Sequence, residues 1–214
     1  PSEKVKAAIA NELKDLSRYP DGNGFELKSI LGEKLKVSTK QITLGNGSSD
    51  ILEFIVKTFV NPGDEVVVSQ HAFAIYSLVT QMQGGKAVVV PAKNWGHDLD
   101  AMADAISDKT KIVFVTNPNN PTGIYFSQQQ IRQWAEALSP DAYIIVDEAF
   151  VDSHPEKSLL CDALIDNVIV LRSFGKFSLL RIELIPNLTC TSFLNLLRFC
   201  DTDYTGKLHK VHPC

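Results

Sequence analysis

Apolar residues along this chain follow two rhythms that take turns. Val5, Ile9, Leu13 and Leu16 recur at helical spacing behind Ser2, which reads as an N-cap. The breaker run Arg18-Tyr19-Pro20-Asp21-Gly22-Asn23-Gly24 ends that helix, and Leu27, Ile30, Leu31 and Leu35 mark the face of a second one. Ile42–Leu44 is a short apolar run entering Gly45-Asn46-Gly47-Ser48-Ser49-Asp50, after which Ile51, Ile55 and Phe59 resume the helical period. Asn61-Pro62-Gly63-Asp64 is a turn signal, and Glu65–Ser69 follows it as a strand. The pattern then predicts helix over Phe73–Met82, strand over Lys86–Val90, helix over Leu99–Ile106 and strand over Lys111–Thr116. Ser127 and Gln130 form a capping box for the helix bearing Ile131, Trp134 and Leu138. Tyr143–Val146 and Val168–Leu171 are two further strands.

These strand runs are mostly apolar instead of alternating, as in strands covered on both faces. Strands separated by helices therefore predict an α/β fold: a mainly parallel sheet in a three-layer αβα domain. At 214 residues, the chain has room for one large domain or a domain plus part of another. With 21 basic against 25 acidic residues and no basic block, nothing suggests a nucleic-acid stripe. The longest apolar runs are too short to span a bilayer. The N-terminus lacks the basic-then-apolar form of a signal peptide, so a cytoplasmic protein is expected.

Cys161 stands alone in residues 1–177, whereas Cys190, Cys200 and Cys214 crowd the last quarter. That is no disulfide framework. It marks a change of character near Ser178. Beyond that point Leu179, Leu180, Ile182, Leu184 and Ile185 give apolar content without a sustained period. Cys200, His209, His212 and Cys214 match no established zinc spacing, so no metal site is expected.

Several polar residues sit where chemistry is done. Asp147 follows an apolar run, at the carboxyl end of a strand, the edge where open α/β sheets bind ligands. Lys176 lies beside Gly175 just beyond another strand. Asn120 is presented by a loop with a proline on either side, Pro118 and Pro121. Gly47-Ser48-Ser49 joins a strand to a helix start, where free backbone N–H groups and hydroxyls make an anion site, to which Ser173 adds a hydroxyl. Phe73 offers a ring face. Singly, each also fits a plain role: a solvated lysine, a turn or helix cap, a core ring.

Their order resembles one family. Ser173-Phe174-Gly175-Lys176, read with Asn119-Asn120-Pro121-Thr122-Gly123, Asp147-Glu148-Ala149-Phe150 with His154-Pro155, Gly47-Ser48-Ser49-Asp50 and Arg18-Tyr19-Pro20-Asp21, is similar to the fold type I pyridoxal-phosphate aminotransferases. The resemblance is greatest to histidinol-phosphate aminotransferases and covers residues 1–177. Aromatic aminotransferases and threonine-phosphate decarboxylases share these motifs. The resemblance implies pyridoxal 5′-phosphate as cofactor. It implies amino-group transfer between histidinol phosphate and 2-oxoglutarate, giving imidazole-acetol phosphate and glutamate. Lys176 is then the catalytic lysine that bonds the cofactor aldehyde and moves the substrate proton. Asp147 holds the pyridine nitrogen protonated, and Asn120 donates to the ring oxygen. Ser48, Ser49 and Ser173 cradle the phosphate, and Phe73 stacks on the ring. Tyr19 reaches the phosphate of a neighbouring subunit, which implies a homodimer.

Three departures accompany the resemblance. Phe150 stands where the family usually has a tyrosine, and Leu184 where it has an arginine eight residues after the lysine. No counterpart of the small C-terminal domain follows, and the segment ahead of the first helix is short. The expectation is a domain over residues 1–177, incomplete at both ends. Residues 178–214 would be an off-pattern tail from another reading frame or exon, leaving a weak enzyme or a mere binding or dimerisation module. A serine acyl-transfer site on Ser173-x-x-Lys176 lacks its Ser-Asp-Asn and Lys-Thr-Gly partners and is disfavoured.

Overall fold

Every second residue of the central strands faces the opposite side of the sheet, and both sides are apolar. On β4 (Thr110–Thr116), Val113 and Val115 enter one core while Ile112 and Phe114 enter the other. On β5 (Tyr143–Asp147), Ile144 and Val146 oppose Ile145, and on β6 (Val168–Ser173), Val168 and Val170 oppose Ile169 and Leu171. Such strands need helices on both faces. The computed structural model describes residues 3–15, 17, 19, 21–138, 141–162, 165–174 and 176, and the backbone of 194–198.

One face is covered by α3 (Ser48–Phe59) and α4 (Ile75–Met82), which bring Ile51, Leu52, Ile55, Val56, Tyr76 and Val79 into its core. The other is covered by α2 (Phe25–Leu35), α5 (Leu99–Asp104) and α6 (Gln128–Ala137), through Leu27, Leu31, Met102, Ile131 and Trp134. Ahead of them, α1 spans Glu3–Glu12. Phe114 is fully buried, and its removal to alanine is worth about 3–5 kcal/mol by the usual cost of a large core cavity. The three-layer αβα architecture is as the apolar runs imply.

The remaining strands are β1 (Ile42–Asn46), β2 (Glu65–Ser69), β3 (Lys86–Val90) and β7 (Leu194–Arg198), giving the order β1-β7-β6-β5-β4-β2-β3 among the described residues. The pairs from β3 through β6 are parallel, and β7 runs antiparallel to both β1 and β6. The chain steps from β2 outward to β3, then returns to place β4 on the other side of β2. That reversal opens a crevice at the carboxyl ends of β2 and β4, where doubly wound sheets bind ligands.

Several boundaries differ from the sequence pattern. The helix expected from Phe73 starts at Ile75, which leaves Phe73 in the loop after β2, and the helix expected to Ile106 stops at Asp104. The capping box at Ser127 and Gln130 is present, with the Gln130 N–H donating to the Ser127 hydroxyl at 3.2 Å. Three short 3-10 turns, at Val151–Ser153, Pro155–Lys157 and Leu159–Cys161, carry the chain from β5 towards β6. Leu194–Arg198 belongs to the segment read as off-pattern, yet it is the strand that joins β1 to β6. Five residues are too few to display a period, and their partners lie far away in sequence. Ser2, Leu184, Cys190, Cys200, His209, His212 and Cys214 lie outside the described residues.

Candidate active site

Asp147 closes β5 and is 3% exposed. Leaving water penalises a carboxylate unless donors reach it. Two do. The Tyr76 hydroxyl donates to Oδ2 at 2.7 Å, and the Ala149 N–H donates to Oδ1 at 2.9 Å. Burial pushes the Asp147 carboxyl above its ordinary range, opposed by these two donors and by the charge of Lys176. The N–H of Asn117 donates to the Asp147 carbonyl at 2.9 Å, which ties the loop after β4 to the end of β5.

Around Asp147 the neighbouring strand ends contribute. Thr116 closes β4 and is the register partner of Asp147, and its Oγ lies 2.7 Å from the Tyr76 hydroxyl. The Tyr76 ring stacks on Phe114, with centroids 4.4 Å apart, and Phe73 meets it edge-on at 5.9 Å. Behind Thr116 lies His97, buried, with Nε2 2.9 Å from the Thr116 carbonyl and 3.2 Å from its N–H. Burial lowers the His97 pKa, so the ring is held neutral, and its Nδ1 has no partner among the described residues.

The loop after β4 is tied down by its asparagines. The Asn117 amide donates to the Phe126 carbonyl and accepts from the Phe126 N–H, both at 2.8 Å. The Asn119 amide donates to the His71 carbonyl at 2.9 Å and the Thr122 hydroxyl at 2.8 Å, joining this loop to the one that bears Phe73. Asn120 is half-buried, and its amide makes no hydrogen bond among the described residues. A held loop thus offers one uncommitted amide.

Gly47 precedes α3 with φ +91°, a conformation that side chains rarely adopt, and no atom would lie within 4 Å of a Cβ placed there. No side chain caps α3, so the first-turn N–H groups at Ser48 and Ser49 keep the free, positive character of a helix start. Ser48 is half-buried and Ser49 exposed. The Asp50 carboxylate is engaged on the Asn46 N–H at 2.9 Å.

Ser173 closes β6 and is buried, and Lys176 follows it, exposed, with Nζ over the Phe150 ring. The structure thus brings Asp147, Lys176, Phe73 and the Asn120 loop to the carboxyl edge of the sheet, with Ser173 at the end of β6. Tyr19 is fully exposed. No group of metal-ligating side chains and no helix long and apolar enough to cross a membrane occurs among the described residues.

The sequence reading missed Tyr76, Thr116 and His97. Tyr76 lies one residue inside α4, three beyond Phe73, in a stretch the sequence marks only as helix. Also missed was a second buried acid. Glu148 accepts from the Ser158 hydroxyl at 2.5 Å and the Leu159 N–H at 2.7 Å, with Arg172 Nη1 3.8 Å away. Burial pushes its pKa up to about 7 despite the Arg172 charge. Arg172 also pairs with Asp152, so this cluster fastens the turns after β5 to β6.

A doubly wound sheet with a buried acid and a lysine at its carboxyl edge defines the class. The sequence model of the class I and II aminotransferases matches residues 1–180, and the chain belongs to that family. Among its relatives are histidinol-phosphate aminotransferase 2 of Pseudomonas fluorescens, 48% identical over 82% of this chain and 48% of the relative, and histidinol-phosphate aminotransferase 1 of Idiomarina loihiensis, 49% identical over 82% and 49%. The chain spans about half the length of the curated relatives it matches. The crystal structure of histidinol-phosphate aminotransferase from Sinorhizobium meliloti, in complex with pyridoxal 5′-phosphate, superimposes with a TM-score of 0.81 at 25% identity, over 93% of this chain and 53% of that one.

Proposed function

We propose that this chain carries the cofactor-binding domain of a histidinol-phosphate aminotransferase, with pyridoxal 5′-phosphate as cofactor and histidinol phosphate and 2-oxoglutarate as substrates. The observation that carries the reading is Asp147: a buried acid, hydrogen-bonded on both oxygens, within electrostatic reach of Lys176 at the carboxyl edge of the sheet. The relatives' names support histidinol phosphate and amino transfer, and 2-oxoglutarate follows from the family resemblance of the motifs.

The residues present fit the cofactor. A cationic N–H placed against Asp147 relieves the cost of burying that carboxylate. The uncapped start of α3, with open space at Gly47, suits a phosphate, and the uncommitted Asn120 amide suits a ring oxygen. Phe73 supplies the ring face.

When bound, pyridoxal 5′-phosphate supplies the electron-withdrawing ring that stabilises negative charge at the substrate α-carbon. Asp147 holds the proton on the pyridine nitrogen. The Lys176 amine would hold the cofactor through its aldehyde, and as a free base beside the substrate it would carry one proton between the α-carbon and the cofactor. Asn120 orients the ring, while Ser48, Ser49 and Ser173 with the α3 N–H groups hold the phosphate.

In the same reading residues 1–177 form the domain, with 178–214 distinct in character apart from β7. Tyr19, fully exposed, is available to the cofactor phosphate of a second copy in a cytoplasmic homodimer. The test adds pyridoxal 5′-phosphate to the full chain, fixes the product with borohydride and maps the adduct. The expected adduct is on Lys176 and absent from Lys176→Ala. An adduct of equal yield on another lysine in that variant overturns the assignment. Amino transfer from glutamate to imidazole-acetol phosphate, measured against an aromatic keto acid, tests the substrate.

A further inference from the structure

We propose that Tyr76 is a positioning residue for the pyridine-binding acid: backed by the Thr116 hydroxyl, it is a permanent donor that orients Asp147 and favours its ionised form. The inference rests on the proposed role of Asp147 and adds a residue to it.

The argument starts from proton counting. The Tyr76 hydroxyl lies 2.7 Å from Asp147 Oδ2 and 2.7 Å from Thr116 Oγ, but has one proton to give. An ionised carboxylate has none, so Tyr76 donates to Asp147. Thr116 must then donate to the Tyr76 oxygen. The chain runs one way, Thr116 to Tyr76 to Asp147, and each donor strengthens the next.

Tyr76 is unable to leave this post. Its side chain is fully buried, its ring stacks on Phe114 at an interplanar angle of 8°, and Phe73 packs edge-on against it. Burial and the Asp147 charge hold its hydroxyl well above the ordinary tyrosine range, so it keeps its proton throughout the working pH range. It is no acid or base in the reaction.

Tyr76 occupies one carboxylate oxygen and the Ala149 N–H the other, so the carboxylate is fixed by donors of two separate elements. The other groups that act on Asp147 are Lys176, beyond β6, and the neighbouring acid Glu148. Tyr76 also supports the Phe73 ring, so a single buried side chain sets the positions of two proposed cofactor contacts.

The test uses the full chain without cofactor, with aspartate carboxyl carbons labelled and the Asp147 signal assigned through Asp147→Asn. In Tyr76→Phe, which retains the stacked ring, the Asp147 titration midpoint is expected to rise by about one unit, the size of one charge-assisted hydrogen bond. Affinity for pyridoxal 5′-phosphate is expected to fall about tenfold, and that loss should vanish in an Asp147→Asn background. An unchanged midpoint in a folded Tyr76→Phe protein overturns the proposal, as does an equal affinity loss without Asp147. If Tyr76→Phe does not fold, Thr116→Val serves: a smaller upward shift is expected, and no shift overturns the chain. If the parent chain binds no pyridoxal 5′-phosphate, the functional reading fails, while the cofactor-free midpoint still decides the role of Tyr76.

Discussion

The Lys176 ammonium stands 5.3 Å from the centroid of the Phe150 ring. This is a cation–π contact at the position where the resembling family usually carries a tyrosine hydroxyl. A phenyl face attracts the lysine charge, but it gives a cofactor oxygen no donor.

Phe150→Tyr should therefore add one hydrogen bond to the bound cofactor. One such bond contributes about 1 kcal/mol, or roughly fivefold in affinity. Titration with pyridoxal 5′-phosphate, followed by absorbance, checks it. Equal affinity in both proteins would place the ring oxygen out of reach of residue 150.

Asp147→Asn should separate capture of the cofactor from chemistry on it. Asparagine keeps the size of the side chain but is unable to hold a cationic ring nitrogen. The borohydride-stable adduct on Lys176 is expected to survive, while α-proton exchange slows on the order of a hundredfold or more, the usual cost of removing a preorganised electrostatic partner. Unchanged exchange rates would remove this role from Asp147.

Glu148 should give the stability curve a falling limb. Its carboxyl pKa is raised from 4.5 to about 7 in the folded chain, so between these values the folded state binds more protons than the unfolded. Stability from this group is full below pH 4.5, falls as pH rises and levels off above about 7. The span is on the order of 3 kcal/mol. Glu148→Gln titrates nowhere in this range, so its stability should decline less than the parent's between pH 5 and pH 8 in chemical denaturation. Parallel curves would contradict the buried, proton-holding Glu148.

His97 should act with the opposite sign. Its pKa is lowered from 6.5 by burial, so the unfolded state binds more protons below that value. Its contribution is present above pH 6.5 and is lost as pH falls. The His97 ring stacks on Phe126 with centroids 6.0 Å apart, so His97→Phe keeps a ring there and removes the titration, and its melting temperature should fall less between pH 7 and pH 5. An unchanged slope would show that the ring charges freely within the fold.

Much of the candidate site is written locally. Asp147 ends an apolar run, Asn120 sits in a Pro-Asn-Asn-Pro loop and Lys176 follows Ser173 after another apolar run, so neighbours in sequence announce each of them. The parallel sheet was legible for the same reason: strands covered on both faces are apolar along their centres, as Ile112–Val115, Ile144–Val146 and Val168–Leu171 are. The start of α4 was less so, since Phe73 fits the helical spacing but lies outside the helix.

The amino-acid order alone thus determined the alternation of strands and helices, the layered α/β class and the candidate residues that sit at strand ends. Tertiary structure decided which of them meet, and what stands behind them. Tyr76 and Asp147 are 71 positions apart, and a hydroxyl on an apolar helix face shows no partner until the chain folds. Thr116 faces Asp147 only because β4 and β5 pair in that register. Leu194–Arg198 is a strand through its pairing with both β1 and β6, and no period within five residues could announce it. Local pattern is set by the helix and strand repeats, whereas such contacts are set by strand order and register, which residues distant in sequence determine together.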